Sequence, residues 1–190
     1  MIERYSRKEV REIWLDKNRY SLWLKIEIAA AEAMEKFKII PRGVVKKVKS
    51  KSKIDVAKIL KVEGKVRHDV IAFLTSIIEK VGIEASFLHK GMTSSDVLDT
   101  CFNIQLKQSG LIISKDLENL LSSIKKQAIK HKYTLCIGRS HGIHAEPTTF
   151  GLKLLTFYEE FSRNHKRLQG AIKEISTCAI SGAVGTFANV

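Results

Sequence analysis

Residues 96–130 read DVLDTCFNIQLKQSGLIISKDLENLLSSIKKQAIK. Apolar residues recur through this stretch at intervals of three and four, which is the spacing of one face of an α-helix. The stretch has more than thirty residues and no proline, which makes it longer than the usual helix of a globular domain. Helices of this length are typical of bundles, so the stretch predicts an all-α fold.

A long helix is also predicted near the start of the chain. Ser6 is followed three residues later by Glu9, which is the capping-box pattern of a helix start. Apolar residues then recur at helical spacing until Pro41 closes the segment. Arg4 and Tyr5 fall just before this helix, and we expect them on a non-helical arm.

Two more helices are predicted further along. A helix over about residues 63–81 would carry His68 one turn from its start. Residues 133–137 look extended, and a loop over 138–147 follows them. Pro147 is well placed to open the last helix, which runs to about residue 175, because its fixed φ suits a first helical turn.

The composition excludes several classes of protein. The chain has 190 residues, of which 44% are hydrophobic, so it has enough apolar material for a core. A disordered polyelectrolyte would be poorer in such residues. Only two prolines and eleven glycines exclude collagen-like and loop-dominated classes.

The cysteines and the lack of apolar runs predict a cytoplasmic protein. Cys101, Cys136 and Cys178 form an odd set without paired spacing, which fits a reducing compartment. No run approaches the roughly 18 apolar residues of a membrane span, and the first residues lack the apolar core of a signal peptide. We therefore expect no membrane partner.

The formal net charge of +13 has several interpretations. Six basic residues without an intervening acid lie between Arg42 and Lys53. They could bind a nucleic acid, form a solvated face, or attract a small polyanionic substrate. No aromatic residue interleaves with them, so the base-stacking part of a single-strand binding site is missing. This favours the solvated face, and we predict no nucleic-acid partner.

Polar groups that can carry chemistry are crowded into three short connections: Arg67-His68-Asp69, Thr93-Ser94-Ser95-Asp96, and Arg139-Ser140-His141 with His144 and Glu146 behind. Loops held by rigid helices are where binding and catalysis usually sit. Structural interpretations remain open for the first two, because His68 could be an ordinary helix histidine and the second group a capping cluster.

The third connection favours function more strongly. A metal site at His141, His144 and Glu146 is disfavoured, because no further ligand follows at a recognisable spacing. His141 is flanked by glycine and lies near Arg139. Glycine allows close backbone approach, arginine can hold a carboxylate, and imidazole can transfer protons near neutrality. A serine hydrolase and a phosphate-loop enzyme are set aside, since neither motif occurs.

Long motifs in these connections resemble those of the adenylosuccinate lyase family, in the fumarase/aspartase superfamily. The motifs that carry the resemblance are spread along the whole sequence, at residues 1–6, 67–70, 91–100, 138–151 and 180–186.

This resemblance implies a fold, a reaction and an assembly. It implies an N-terminal helical domain over residues 1–92 and the first part of a long central helical bundle over 93–190. The implied enzyme is a homotetramer whose small-molecule nucleotide substrate, adenylosuccinate, is cleaved to AMP and fumarate. It acts likewise on the succinyl-carboxamide intermediate of purine synthesis. The β-elimination needs no metal and no organic cofactor.

The resemblance also implies roles for particular residues. His141 corresponds to the general acid, and His68 is implicated in catalysis or phosphate orientation. The remaining implied substrate-binding residues are Arg4 and Tyr5 at the phosphate, Arg67 and Asp69 beside His68, Thr93 and Ser94 at the fumaryl carboxylate, and His89 nearby.

The chain also departs from the family pattern. Ser140 and Ser95 stand where threonine is common, and Lys90 stands where an aromatic residue is common. The serine loop that carries the family's catalytic base does not occur in these 190 residues, so we expect negligible activity from this chain alone. Two alternatives stay open: another superfamily reaction, such as that of argininosuccinate lyase or a muconate cycloisomerisation, and a non-enzymatic basic helical module that binds RNA or an acidic partner.

Overall fold

The computed structural model of the chain describes residues 2–188, and helices dominate it. The helices are α1 (Lys8–Ile13), α2 (Asp16–Lys36), α3 (Val44–Lys51), α4 (Val56–Val66), α5 (Asp69–Val81), α6 (Ser94–Lys130) and α7 (Phe150–Glu174). Short 3-10 turns cover Glu3–Tyr5 and Ile83–Phe87, and two strands, β1 (Leu135–Ser140) and β2 (Ile143–Thr149), form a hairpin. The predicted all-α fold is confirmed, with this hairpin as its one small sheet in residues 2–188. No helix in that range is long and apolar enough to cross a membrane.

The chain divides into two compact units. Within the described range, the first unit comprises residues 2–106 and 176–188, and the second comprises residues 107–175. The long helix α6 begins in the first unit and ends in the second. The predicted domain boundary between residues 92 and 93 stays a prediction.

An aromatic cluster lies at the centre of the first unit. Tyr20 and Trp23 of α2 and Phe73 of α5 are fully buried, and the Trp23 ring meets both of the others edge-on, with centroid distances of 5.1 and 5.5 Å. Such arrangements add roughly 0.5–1.5 kcal/mol per pair to the gain from burial. Val48 of α3 and Ile59 of α4 complete the packing around the cluster. This core fixes the helices whose ends carry the predicted site residues of the unit.

The second unit contains two antiparallel helices and the hairpin. Ser114 of α6 bonds to His165 of α7 at 2.8 Å, while Gly151, at the start of α7, lies against Ala128 and Lys132 near the end of α6. The start of α7 thus lies beside the end of α6, and a later part of α7 lies beside an earlier part of α6. The two helices are therefore antiparallel. Most large apolar side chains of this unit remain exposed.

The first predicted helix is wrong in two respects. It is broken at Trp14 and Leu15 into α1 and α2, because Leu15 adopts an extended conformation. Ser6 does not cap it, since its hydroxyl donates instead to the carbonyl of Ile2 at 2.9 Å. The arm expected to be non-helical is a single 3-10 turn, Glu3–Tyr5.

The helix predicted over residues 63–81 is also interrupted. Helix α4 ends at Val66, Arg67 turns into the left-handed region with φ 56°, and α5 begins at Asp69. His68 is therefore the N-cap of α5 rather than a residue one turn inside a helix. Val70, Phe73 and Ile77 of α5 are buried, whereas Val66, the last residue of α4, is exposed.

The loop predicted over residues 138–147 is a hairpin, and Pro147 does not open the last helix. Pro147 lies in β2 opposite Ile137, and α7 begins only at Phe150. Proline lacks the N–H that a sheet interior needs, but a two-stranded ribbon consists of edge strands, where it is tolerated. Thr149 provides the helix cap instead, because its hydroxyl accepts a hydrogen bond from the Leu152 N–H at 3.1 Å.

Candidate active site

His141 lies at the tip of the hairpin. Ser140 and Ile143 pair across the two strands, so His141 and Gly142 alone form the turn. Both residues have positive φ, 52° and 78°, as in the type I′ turn that suits the twist of a hairpin. Glycine adopts this conformation without cost, whereas a histidine in it is strained. The turn holds the imidazole exposed at the end of a ribbon, where it can reach a ligand.

Positive φ marks three of the predicted site residues. Among residues 2–188, five non-glycine residues have positive φ: Lys38, Arg67, His89, His141 and Phe187. Arg67, His89 and His141 belong to the predicted site. Arg67 and His141 lie in the first and third polar connections, and His89 lies shortly before the second. Left-handed conformations of ordinary residues cost about 1–2 kcal/mol each. Strained residues of this kind cluster at functional sites, which supports a functional interpretation of all three connections.

His68 has a defined hydrogen bond at the start of α5. Its Nδ1 accepts a hydrogen bond from the backbone N–H of Ile71 at 3.4 Å. An accepting Nδ1 carries no proton, so in the neutral ring the proton lies on Nε2. Asp69 is the next residue, and its carboxylate lies 3.6 Å from the same Nδ1. The Nε2–H of an exposed ring is then available to donate to a phosphate or carboxylate oxygen.

Arg67 and Asp69 flank this histidine at the helix start. Arg67 is exposed, and the Asp69 carboxylate accepts a hydrogen bond from the Val70 N–H at 2.7 Å. The N-terminus of α5 carries the positive end of the helix dipole. A guanidinium beside such a terminus forms a local environment that suits an anion.

His89 makes the most deeply buried polar contacts of the predicted site. Its backbone N–H donates to Glu27 Oε2 at 2.6 Å, and its ring Nδ1 lies 2.7 Å from Glu27 Oε1. The Glu27 side chain has no exposed surface, and that of His89 is 17% exposed. Glu27 was not predicted as a site residue. The only signal for it is a single acid among the apolar residues of α2, at Ile26 and Ile28.

The Thr93–Ser94 turn at the start of α6 is fixed by Asp96. The Thr93 N–H donates to Asp96 Oδ2 at 2.9 Å, and the Asp96 N–H donates back to the Thr93 carbonyl at 3.1 Å. The same carboxylate, 2% exposed, also accepts hydrogen bonds from the N–H groups of Ser181 and Gly182. One buried side chain therefore joins two of the motifs that lie far apart in the sequence.

The segment that contains Ser181 is bound to α6 along one face. Thr100 Oγ1 accepts a hydrogen bond from the Ala179 N–H at 3.1 Å, and Asn103 Nδ2 donates to the Thr177 carbonyl at 3.1 Å. With Asp96, these side chains recur at helical spacing, so a single helix face holds the segment.

Arg4 and Tyr5 lie on the exposed 3-10 turn Glu3–Tyr5. The Arg4 guanidinium lies 4.7 Å from the centroid of the Tyr5 ring, a cation–π geometry. Within residues 2–188, no hydrogen bond or ion pair directly links this turn to residues 67–69 or 89–94. His141 belongs to the second unit. The described residues also contain no group of three or more His, Cys, Asp or Glu side chains placed to hold a metal ion.

Comparison with known proteins identifies the family. Residues 1–190 match the family model described as Lyase, so the chain belongs to this lyase family. Curated adenylosuccinate lyases from Staphylococcus saprophyticus and Bacillus subtilis are each 48% identical to it over 190 residues, which is 100% of this chain and 44% of each relative. The chain thus spans under half the length of the curated relatives that it matches.

A solved structure shows the same fold. The crystal structure of a fumarate lyase from Mesorhizobium sp. BNC1 superimposes with a TM-score of 0.90 and 25% sequence identity. The likeness covers 96% of this chain and 44% of that one. This supports the helical fold of the fumarase/aspartase type that the sequence predicts.

Proposed function

We propose that the chain is the N-terminal part of an adenylosuccinate lyase, and that it supplies the acid side and the anion-binding groups of the active site. The observation that carries the proposal is the 48% identity to curated adenylosuccinate lyases across all 190 residues. The proposed reaction is the β-elimination of fumarate from adenylosuccinate, which gives AMP. The same chemistry would act on the succinyl-carboxamide intermediate of purine synthesis.

The chemistry of the reaction explains the proposed roles. A base removes the proton next to a carboxylate, the resulting negative charge spreads into that carboxylate, and the C–N bond then breaks. His141 would protonate the departing nitrogen, because an imidazole with a free pKa of about 6.5 can donate a proton near neutrality. The exposed turn that carries His141 supports this role, because it leaves the ring free to approach a substrate.

The anionic groups of the substrate have candidate partners in the first unit. Thr93 and Ser94 would donate hydrogen bonds to the fumaryl carboxylate from the N-terminus of α6. Arg4 and Tyr5 would contact the nucleotide phosphate, and Arg67, His68 and Asp69 would contact the substrate at the N-terminus of α5. The groups at Thr93–Ser94 and at Arg67–Asp69 lie at helix N-termini, where the helix dipole favours anions. His89, held by Glu27, completes the proposed set.

A cytoplasmic homotetramer is part of the same proposal. The second unit leaves many large apolar side chains exposed, which is unusual for a surface that stays in contact with water. They include Leu111 (54%), Ile113 (49%), Ile129 (60%), Leu152 (57%), Leu155 (44%) and Phe157 (44%). Packing of these helices against other subunits would bury them.

The basic run at residues 42–53 is less suited to a polyanion than its sequence suggests. Lys47 is ion-paired with Glu84, and Lys49 is ion-paired with Glu32. Acids from neighbouring elements thus offset part of its charge. We therefore do not propose nucleic-acid binding as the function.

A hybrid enzyme tests the proposal. This chain would replace the matched region of Bacillus subtilis adenylosuccinate lyase, and initial rates would be measured on adenylosuccinate and on argininosuccinate. We expect steady cleavage of adenylosuccinate and none of argininosuccinate, and we expect no turnover from the 190-residue chain alone. A folded hybrid that prefers argininosuccinate, or that cleaves neither substrate, would show that the proposed function is wrong.

A further inference from the structure

Glu27 is a fully buried acid whose one hydrogen-bonding partner within residues 2–188 is His89. One oxygen accepts a hydrogen bond from the His89 backbone N–H at 2.6 Å, and the other lies 2.7 Å from the His89 ring Nδ1. These are its hydrogen-bond and ion-pair partners among residues 2–188. Removing a carboxylate from water costs several kcal/mol, which only good hydrogen bonds offset. This cost arises in the middle of α2, four residues after the fully buried Trp23.

His89 carries a second unfavourable feature at the same place. Its φ of 60° lies in the left-handed region, where an ordinary side chain is strained by about 1–2 kcal/mol. The Glu27 contact to its backbone N–H holds it there. A buried acid and a strained histidine that depend on each other are more costly than an apolar pair of the same shape. Costs of this kind persist where a geometry is needed for function.

The contact also determines which ring nitrogen carries a proton. When Glu27 is a carboxylate it only accepts hydrogen bonds, and His89 Nδ1 then donates to it. Nε2 is then the one ring nitrogen that can accept, donate or exchange a proton with another molecule. His68 has the opposite arrangement, because its Nδ1 accepts from the Ile71 N–H.

We propose that Glu27 is a positioning residue that fixes the orientation and tautomer of His89, so that His89 presents Nε2 to the substrate. The proposal rests on the proposed function for the identity of that substrate. It assigns Glu27 no contact with the substrate itself, since its side chain is fully buried. Carboxylates fix the orientation and tautomer of histidines in the same way in metal sites and in catalytic triads.

Nitrogen-15 NMR of the 190-residue chain tests the tautomer without any assay of activity. The chain would be labelled at its histidines, with His89 assigned through a His89→Gln variant, and recorded at pH 8.5, where ordinary imidazoles are neutral. We expect a protonated Nδ1 on His89 and an unprotonated Nδ1 on His68, which serves as the internal control. A wild-type spectrum with an unprotonated His89 Nδ1 would overturn the proposal, even if no Glu27 variant folds.

Glu27→Gln then tests the role of the carboxylate. A carboxamide has one acceptor oxygen, which stays with the fixed donor, the His89 backbone N–H, so its NH₂ group faces Nδ1 and makes that nitrogen an acceptor. We expect the His89 ring to shift towards the Nε2–H tautomer. In the hybrid enzyme we expect kcat/KM for adenylosuccinate to fall roughly 10- to 100-fold. The matched control is Glu32→Gln, an exposed acid on the same helix, which should change neither the spectrum nor kcat/KM by more than about 2-fold.

The two measurements separate the proposals. If Glu27→Gln folds and leaves both the His89 resonances and kcat/KM unchanged, the positioning role is wrong. If the wild-type hybrid cleaves no adenylosuccinate while the tautomer is as expected, the proposed substrate is wrong and the Glu27–His89 relationship stands.

Discussion

The Asp96 carboxylate accepts a hydrogen bond from the Ser181 N–H at 2.9 Å, across 85 residues of sequence. Its other oxygen accepts from the N–H groups of Gly182 and Thr93, at 3.1 and 2.9 Å. The start of α6 and a glycine-containing segment near the end of the described chain thus share one buried acid. Asp96 thereby connects the proposed carboxylate-binding turn at Thr93 to a segment outside α6.

Replacing this acid should destabilise the first unit. Asp96→Asn leaves one acceptor oxygen for three N–H groups, and each buried donor left unsatisfied costs about 1–3 kcal/mol. We expect the free energy of unfolding, measured in urea, to fall by roughly 2–4 kcal/mol. Limited proteolysis should cut between residues 176 and 188 sooner than in the wild type. Asp99→Asn, an exposed acid on the same helix, is the control; equal stability of the two variants would contradict the anchoring role of Asp96.

Two glycines of α7 should respond to alanine in opposite directions. A Cβ at Gly151 would lie 2.4 Å from the Ala128 carbonyl oxygen and 2.7 Å from the Lys132 Cα, both of which are backbone atoms. A Cβ at Gly170 would meet nothing within 4 Å. We expect Gly151→Ala to lower the melting temperature, whereas Gly170→Ala should stabilise the helix by up to about 1 kcal/mol. Thermal unfolding followed by circular dichroism gives both values, and a Gly151→Ala variant as stable as wild type would show that the two helices do not approach this closely.

Glu35 should make stability depend on pH in the acid range. Its carboxylate accepts hydrogen bonds from the N–H groups of Gly43 and Val45, which hold its pKa below the ordinary value of 4.5. Since the folded-state pKa is lower than the unfolded one, this contribution to stability is present above pH 4.5 and is lost as the pH falls through the folded-state pKa. The difference in free energy of unfolding between wild type and Glu35→Gln should therefore shrink on acidification. A difference that is constant from pH 7 to pH 3 would contradict this account.

The cysteines should differ strongly in reactivity. Burial raises the pKa of the Cys101 thiol to about 11, while Cys178 is exposed. At pH 8 only about one in a thousand Cys101 thiols is then ionised, and the thiolate is the nucleophile. We expect iodoacetamide to alkylate Cys178 well before Cys101, as followed by peptide mass spectrometry. Equal rates for the two cysteines in the folded chain would contradict the burial of Cys101.

The long helix α6 could be predicted from sequence because its pattern extends over ten turns without a breaker. The breaks elsewhere could not. Nothing in the residues at Leu15 or Arg67 forbids a helix, so local propensity does not predict the left-handed conformation of Arg67. The hairpin could not be predicted because none of its residues is fully buried, and no alternation of apolar and polar residues marks its strands.

The polar connections of the candidate site could be predicted from residue types alone, but their supports could not. His68, His89 and His141 stand out in the sequence as histidines near glycines or charges. Glu27 and His89 are 62 residues apart, and Asp96 and Ser181 are 85 residues apart. No local sequence pattern reveals contacts at such separations. The residues proposed to touch a substrate thus carry chemical signals, whereas the residues proposed to position them are visible only in the fold.

The role of His141 is the central claim about chemistry, and it is tested most directly by turnover of adenylosuccinate in the hybrid enzyme. His144, three residues further along the same exposed hairpin, provides the matched control. We predict that His141→Gln lowers kcat at least about 100-fold, as expected for the loss of a general acid, while His144→Gln stays within a few-fold of wild type. A folded His141→Gln hybrid that retains most of its kcat would contradict the account.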